Sequence, residues 1–340
     1  MSRPRVTVAI PLYRSARFVD NVSANIESLS GDVEILVSDR HQDDDAVDRL
    51  ERRHASDPRV HFLRHRDGVG WVDHINALLL RARGKYWRFM PHDDFASGAA
   101  LEALVRCLDE YQDSVLAYGP TTAVDLEGTH LAERENPEPH PVGDDEPWTL
   151  GLALDSLWRG HFDGAFKGLI RRDVVVERRL WIRNTLGDIF AERAWLMALA
   201  CLGRFRFVPD APFVKRFHPE STHARWRRGR AHEWSLLRVL CGYLSDLVPE
   251  RRVYRSARHY LAWTTAKWFG WLPGPSSPLP APTEPLLPGP FPGSNLPGMG
   301  MLLEATRSRW RDAHAYELFD SEHRSGRSAD LPGSDAVRLA

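Results

Sequence analysis

Two adjacent carboxylates, Asp93 and Asp94, stand near the end of FMPHDDF (89–95), directly after Tyr86, Trp87, Arg88, Phe89 and Met90, a β-prone and mostly apolar run. In an open α/β sheet, carboxylates at the carboxyl end of a strand lie where ligands bind. The residues alone equally allow Asp93 or Asp94 to cap a helix beginning near Ala99. Other chemically able residues recur at element ends: Pro11 with Tyr13, then Asp39, then Asp188 after Gly187.

The elements that must position them read as an alternation of strands and helices, which points to a mostly parallel sheet covered by helices. Residues 6–12 form a first strand, and Phe18, Val22, Ile26 and Leu29 recur at helical spacing. Residues 33–38 form a second strand ending at Asp39, Val47 and Leu50 mark a short helix, and 60–65 a third strand. Val72, Ile75 and Leu79 mark the helix before YWRFM; Leu101, Leu104, Val105 and Leu108 mark the next, and 115–119 is a fifth strand. Right-handed crossovers then set every strand's carboxyl end on one edge.

From 125 to 148 the pattern dissolves into an acidic, proline-rich stretch that reads as a mobile loop. Beyond it come a helix (150–158), a strand-like FKGLI (166–170), a helix (188–202) and a strand (205–208). Two more helices are expected, over 224–248 and 252–271. The second carries Tyr254, Tyr260, Trp263, Trp268, Phe269 and Trp271, an aromatic stripe suited either to packing on the core or a second subunit, or to a membrane interface. Residues 273–298, rich in Pro and Gly, read as a linker or strap, and 299–340 as a short helix and polar tail.

Composition excludes several classes. The 340 residues hold 45 Lys and Arg against 46 Asp and Glu, so no charge excess draws the chain to nucleic acid. The start, MSRPRVTVAIPLY, reads as a first strand rather than a secretory signal, and no run reaches the about 18 apolar residues of a spanning helix. A cytoplasmic protein is expected, with peripheral membrane contact and an oligomer left open. Cys107, Cys201 and Cys241 read as buried free thiols.

In order, PLY at 11–13, VSDRHQDDD (37–45), HINALLLRARGKY (74–86), MPHDDF, TLGDIFAERAW (185–195) and FVKRFHPES (213–221) resemble the family 2 glycosyltransferases of the GT-A fold, across residues 5–222. The resemblance implies a GT-A, Rossmann-like α/β domain over 1–222, with a nucleotide-binding half (1–120) and an acceptor-binding half (121–222). A helical extension over 223–272 would follow. It implies an inverting transfer of sugar from a nucleotide-diphosphate-sugar, a UDP-sugar being favoured, to the hydroxyl of a saccharide, lipid-linked or natural-product acceptor.

By the same resemblance Pro11, Leu12 and Tyr13 wall the base, Asp39 accepts a hydrogen bond from it, and Asp93 meets the ribose or assists the metal. Asp94 and His218 hold Mg²⁺ or Mn²⁺, whose charge neutralises the departing diphosphate. Arg216 is placed to grip phosphate. Arg225, Arg227, Arg228 and Arg230 form either a lid over the diphosphate, a site for an anionic acceptor, or a solvated face. Asp188 is the expected general base, with Glu192 and Arg193 buttressing its helix. His92 stands where many relatives carry Asp, and Asp43 and Asp44 are expected to cap the next helix. Two rivals remain: a sugar nucleotidyltransferase, which needs a glycine-rich loop where PLYRSAR (11–17) has no glycine, and an inactive nucleotide-sugar-binding or assembly protein.

Overall fold

The computed structural model describes residues 3–39, 44–64, 70–135, 147–156, 162–221, 226–227, 229–271, 281–283 and 286. Strands are β1 (Val6–Leu12), β2 (Val33–Asp39), β3 (Val60–Arg64), β4 (Tyr86–Phe89), β5 (Ser114–Tyr118), β6 (Thr121–Val124), β7 (Leu169–Arg171), β8 (Arg204–Phe207) and β9 (Phe213–Arg216). Helices are α1 (Val19–Ser28), α2 (Ala46–His54), α3 (Trp71–Arg81), α4 (Gly98–Glu110) and α5 (Leu150–Ser156). They continue with α6 (Phe162–Ala165), α7 (Arg172–Glu177), α8 (Ala191–Ala200), α9 (Arg230–Leu247) and α10 (Arg251–Trp268).

The main sheet runs β3-β2-β1-β4-β7-β5-β8, and β6 pairs with β9 in a second, two-stranded sheet. Strands β1 to β4 are mutually parallel where they pair, as are β5 and β8, while β7 runs against both of its neighbours. Period-two alternation divides the core. Val6, Val8, Ile10 and Leu12 enter one apolar cluster with α1 and α4, and Ala9 enters the other with α3 and α8. Burial on both faces explains why β1 and β2 read as near-continuous apolar runs. The polar exceptions are satisfied: Thr7 Oγ1 donates to Glu34 Oε2 at 2.6 Å.

The sequence-based expectation differs from the structure in particular places. Phe166, Lys167 and Gly168 form the turn after α6, closed by Lys167 N to Gly164 O and Gly168 N to Ala165 O, so the strand begins only at Leu169. Strand β6 was not expected, because TTAV carries neither a period nor an apolar run. Helix α8 begins at Ala191 rather than at Asp188, which lies in a 3-10 turn (Leu186–Asp188).

Helices α9 and α10 are not a detached extension. Leu236, Leu240, Tyr243 and Leu244 from α9, with Ala257, Tyr260 and Leu261 from α10, share the apolar cluster of Trp195 and Leu199. Tyr260 of the aromatic stripe thus packs on the core, whereas Trp268 is exposed. The described part of 273–298 lies along α5, with Gly151 N donating to Pro282 O and Leu286 N to Trp148 O. Residues 136–146 of the expected loop and the segment 299–340 lie outside the described residues. No described helix is long and apolar enough to cross a membrane. Cys201 is buried, which pushes its thiol up to about 12, whereas Cys107 and Cys241 are partly exposed rather than buried.

The cap of α4 decides the first ambiguity of the sequence. Ser97 Oγ accepts from Ala100 N at 3.1 Å, so the capping role belongs to Ser97, leaving both Asp93 and Asp94 for other work. Ser97→Ala is expected to cost about 1 kcal/mol in a denaturant titration and to leave nucleotide binding unchanged.

Candidate functional site

A cavity of about 650 Å³ opens where β1 and β4 end, lined by Pro11, Leu12 and Tyr13 from one side and by His92, Asp93 and Asp94 from the other. The end of β9, with Lys215 and Arg216, and the segment leaving it, with His218, close the cavity. Asp39 is outside the described cavity wall: it ends β2 beside Leu12 across the ladder, 4% exposed, and its neighbours 40–43 lie outside the described residues. Asp43 is among these. Asp44 accepts from Ala46 N, the first residue of α2, and from Ala16 N, so it fixes the loop after β1 as well as the helix start.

The two carboxylates of HDD part company. Asp94 is 3% exposed; its Oδ1 accepts from Arg216 N at 2.8 Å and its Oδ2 lies 3.9 Å from Lys167 Nζ. Its backbone carbonyl accepts from Asn21 and Asn25 of α1. Asp94 therefore fastens the loop to β9 and α1. Asp93 instead meets His218, Oδ2 to Nε2 at 2.9 Å. Arg17 lies 3.0 Å from the other ring nitrogen, and because a guanidinium can only donate, Nδ1 accepts and the Nε2 proton faces Asp93. Arg17 also pairs with Glu220 at 2.9 Å.

Burial pushes the Asp94 carboxyl up, and the charge of Asp93 adds to it, against the opposing pull of Lys167. Asp93 moves the other way: burial favours its neutral form, but the hydrogen bond from His218 and the neighbouring His92 outweigh it and hold the carboxylate ionised. His92 is shifted down by burial and lies 3.3 Å from Pro11 O through Nδ1. Its ring packs on Phe18, which also contacts His218, so it lines the cavity as part of a packed layer.

Arg216 lines the cavity. Its guanidinium is tied to Asp93 O at 2.6 Å and to Asn21 Oδ1 at 3.2 Å, which makes it a brace. Of the basic cluster, Arg227 and Arg230 are exposed, while Arg225 and Arg228 lie outside the described residues.

Asp188, the expected base, ends the 3-10 turn that precedes α8. It does not line the described cavity; its Oδ1 accepts from Asn184 at 3.1 Å, and its Oδ2 lies 3.4 Å from where a Cβ on Gly70 would sit. Glu192 and Arg193, in the first turn of α8, do line it, with Phe190. Helix α8 is buried on every side from Ala194 to Ala200, so its polar first turn emerges only here. The backbone delivering it is strained: Gly187, Asp188 and Phe190 have φ of 60, 56 and 67°, the left-handed region that costs non-glycine residues about 1–2 kcal/mol each. Asn76 supports the segment from behind, its side chain exchanging two hydrogen bonds with the backbone of Ile182.

A divalent ion can be tested against this donor set. Asp93 and His218 bring one carboxylate oxygen and one imidazole nitrogen together in the cavity, and an ion held by both would replace the Nε2 proton that now lies between them. No group of three or more His, Cys, Asp or Glu is arranged for a metal among the described residues. Two protein ligands fit an ion that keeps water and takes its other ligands from substrate phosphates, and an imidazole nitrogen among them suits Mn²⁺ better than Mg²⁺, which keeps to oxygen.

Residues 7–176 match the sequence model of Glycosyl transferase family 2. Chondroitin synthase of Escherichia coli is 29% identical over 138 residues, 39% of this chain and 19% of that protein. An uncharacterized glycosyltransferase of Haemophilus influenzae is 26% identical over 117 residues, 34% of this chain and 36% of that protein. The chain thus matches well under two thirds of either relative's length. Among solved structures, S. aureus TarS 1–349 in complex with UDP-GlcNAc superposes with a TM-score of 0.61 at 12% identity, covering 77% of this chain and 73% of that one. Full TarS superposes at 0.54 and 12% identity, covering 97% of this chain and 57% of that one. These likenesses carry the GT-A fold. With the family match spanning half the chain and the strand-end cavity in place, this glycosyltransferase is a member of Glycosyl transferase family 2.

Proposed function

We propose that the protein is an inverting, metal-assisted glycosyltransferase that moves a sugar from a UDP-sugar to an acceptor hydroxyl, with Glu192 rather than Asp188 as the base. The observation that carries this reading is one cavity lined by Tyr13, Asp93, His218 and Glu192. The UDP preference rests on TarS, whose structure holds UDP-GlcNAc.

The nucleoside end lies against Pro11, Leu12 and Tyr13, within reach of Asp39, and the diphosphate lies toward Asp93 and His218. These two residues, in place of Asp94 and His218, are proposed to hold Mg²⁺ or Mn²⁺, which supplies charge neutralisation for the leaving diphosphate. Arg17 and Lys215 add fixed positive charge to the same wall. The acceptor oxygen bonds to the anomeric carbon as the bond from that carbon to the phosphate oxygen breaks. The hydroxyl proton passes to Glu192, and the nucleoside diphosphate departs. One carboxylate suffices, because direct displacement forms no glycosyl-enzyme.

Incubation of the purified protein with UDP-, GDP- and dTDP-sugars in Mn²⁺ is expected to release nucleoside diphosphate slowly from one of them by hydrolysis. Saturable donor binding with no release above the protein-free rate favours the inactive binding protein. Failure to bind any donor contradicts the reading.

A further inference from the structure

A chain of aromatic rings drawn from three segments runs from the cavity wall to the surface. Phe190, on the cavity wall, lies 5.9 Å from Phe269, ring centre to ring centre. Phe269 stacks on Trp271 at 5.9 Å, and Trp271 stacks on Trp234 at 4.7 Å with 27° between the planes. The last ring, Trp234 in the first turns of α9, is 58% exposed. Its support is fixed: Trp271 Nε1 donates to Glu233 Oε2 at 2.7 Å, and Leu186 N donates to Ser235 Oγ at 2.8 Å, tying α9 to the turn that precedes Phe190.

A single exposed tryptophan needs no explanation. This one is held by its neighbours and joined to the wall that bears Glu192. Its rim along α9 is charged, since Arg230 and Arg238, one turn before and after it, are both exposed, and Leu186, joined to Ser235, adds one exposed apolar edge. A flat apolar ring within a charged rim is the complement of a pyranose, which has an apolar C–H face and a border of hydroxyls. An acyl chain or an apolar protein face would require a continuous apolar patch instead.

We propose that Trp234, backed by Trp271, is a distal acceptor subsite that stacks a sugar ring of an oligosaccharide whose terminal hydroxyl reaches Glu192 past Phe190 and Phe269. This deepens the reading given above and rests on it.

The test titrates the full chain with chitotetraose, cellotetraose, maltotetraose and a hyaluronan tetrasaccharide, and with the matching monosaccharides, by calorimetry. UDP with Mn²⁺ is titrated in parallel. At least one tetrasaccharide is expected to bind saturably, about tenfold more weakly in Trp234→Ala and with partial recovery in Trp234→Phe, as the loss of one ring-on-ring contact implies. Monosaccharide and UDP binding should not change. No saturable binding of any tetrasaccharide, or equal binding by Trp234→Ala, overturns the subsite. So does a variant whose only defect is weaker flotation with phosphatidylglycerol vesicles or a lower oligomeric mass. If UDP binds and the tetrasaccharides do not, only the subsite fails; if neither binds, the reading of the whole site fails with it.

Discussion

Glu192→Gln is expected to lower sugar transfer by about a thousandfold while leaving donor binding within about twofold of wild type, because a positioned general base contributes on the order of 10²–10⁴ in rate. Asp188→Asn is expected to retain most activity. The contrast follows from geometry: both carboxylates flank one strained turn, yet Glu192 lines the cavity and Asp188 is directed at Gly70 and Asn184. Transfer assays alongside a donor titration separate the two. Equal loss in both variants would assign Asp188 a part in the same proton path, and loss in Asp188→Asn alone would restore it as the base.

The second large effect separates the adjacent aspartates by what is lost. Asp93→Asn is expected to weaken UDP binding in Mn²⁺ by about a hundredfold, the scale on which metal sites respond to altered ligands, with little change in melting temperature. Asp94→Ala is expected to lose about 3 kcal/mol of stability, because it leaves Lys167 and Arg216 N without the buried carboxylate they face. Thermal melts and UDP titrations on both variants check this. A melting temperature for Asp94→Ala equal to wild type, with UDP binding abolished, would return the metal to Asp94.

Much of the fold could be read from the chain, for definable reasons. Strands β1, β2 and β4 are apolar on both faces and bounded by turn residues, so pattern alone located them. Strand β6, TTAV, carries neither a period nor an apolar run, and for β7, whose first two residues fall in the expected FKGLI, the reversal depends on its partners rather than on its own residues. Within the site, the strand-end positions of Tyr13 and HDD were legible because the sheet puts all such ends on one edge. The division of labour between Asp93 and Asp94 was not, since it depends on β9 delivering Arg216 N and His218, which lie more than a hundred residues away. The place of Glu192 on the cavity wall was missed for a local reason. Gly187 drew attention to Asp188, although an α8 apolar on all sides could expose only its first turn, and that turn holds Glu192 and Arg193. Arg17 and Lys167 gave no sequence signal, because each is brought to the cavity by a tertiary contact alone.

The central claim is that the cavity at the ends of β1 and β4 is a metal-assisted nucleoside-diphosphate site. Calorimetric titration of UDP into the 340-residue chain, first with Mn²⁺ and then with EDTA, is the direct test. Saturable one-to-one binding is expected, weakening when the ion is removed and weakening likewise in Asp93→Asn. Absence of saturable binding by UDP, GDP or dTDP in Mn²⁺ would contradict it.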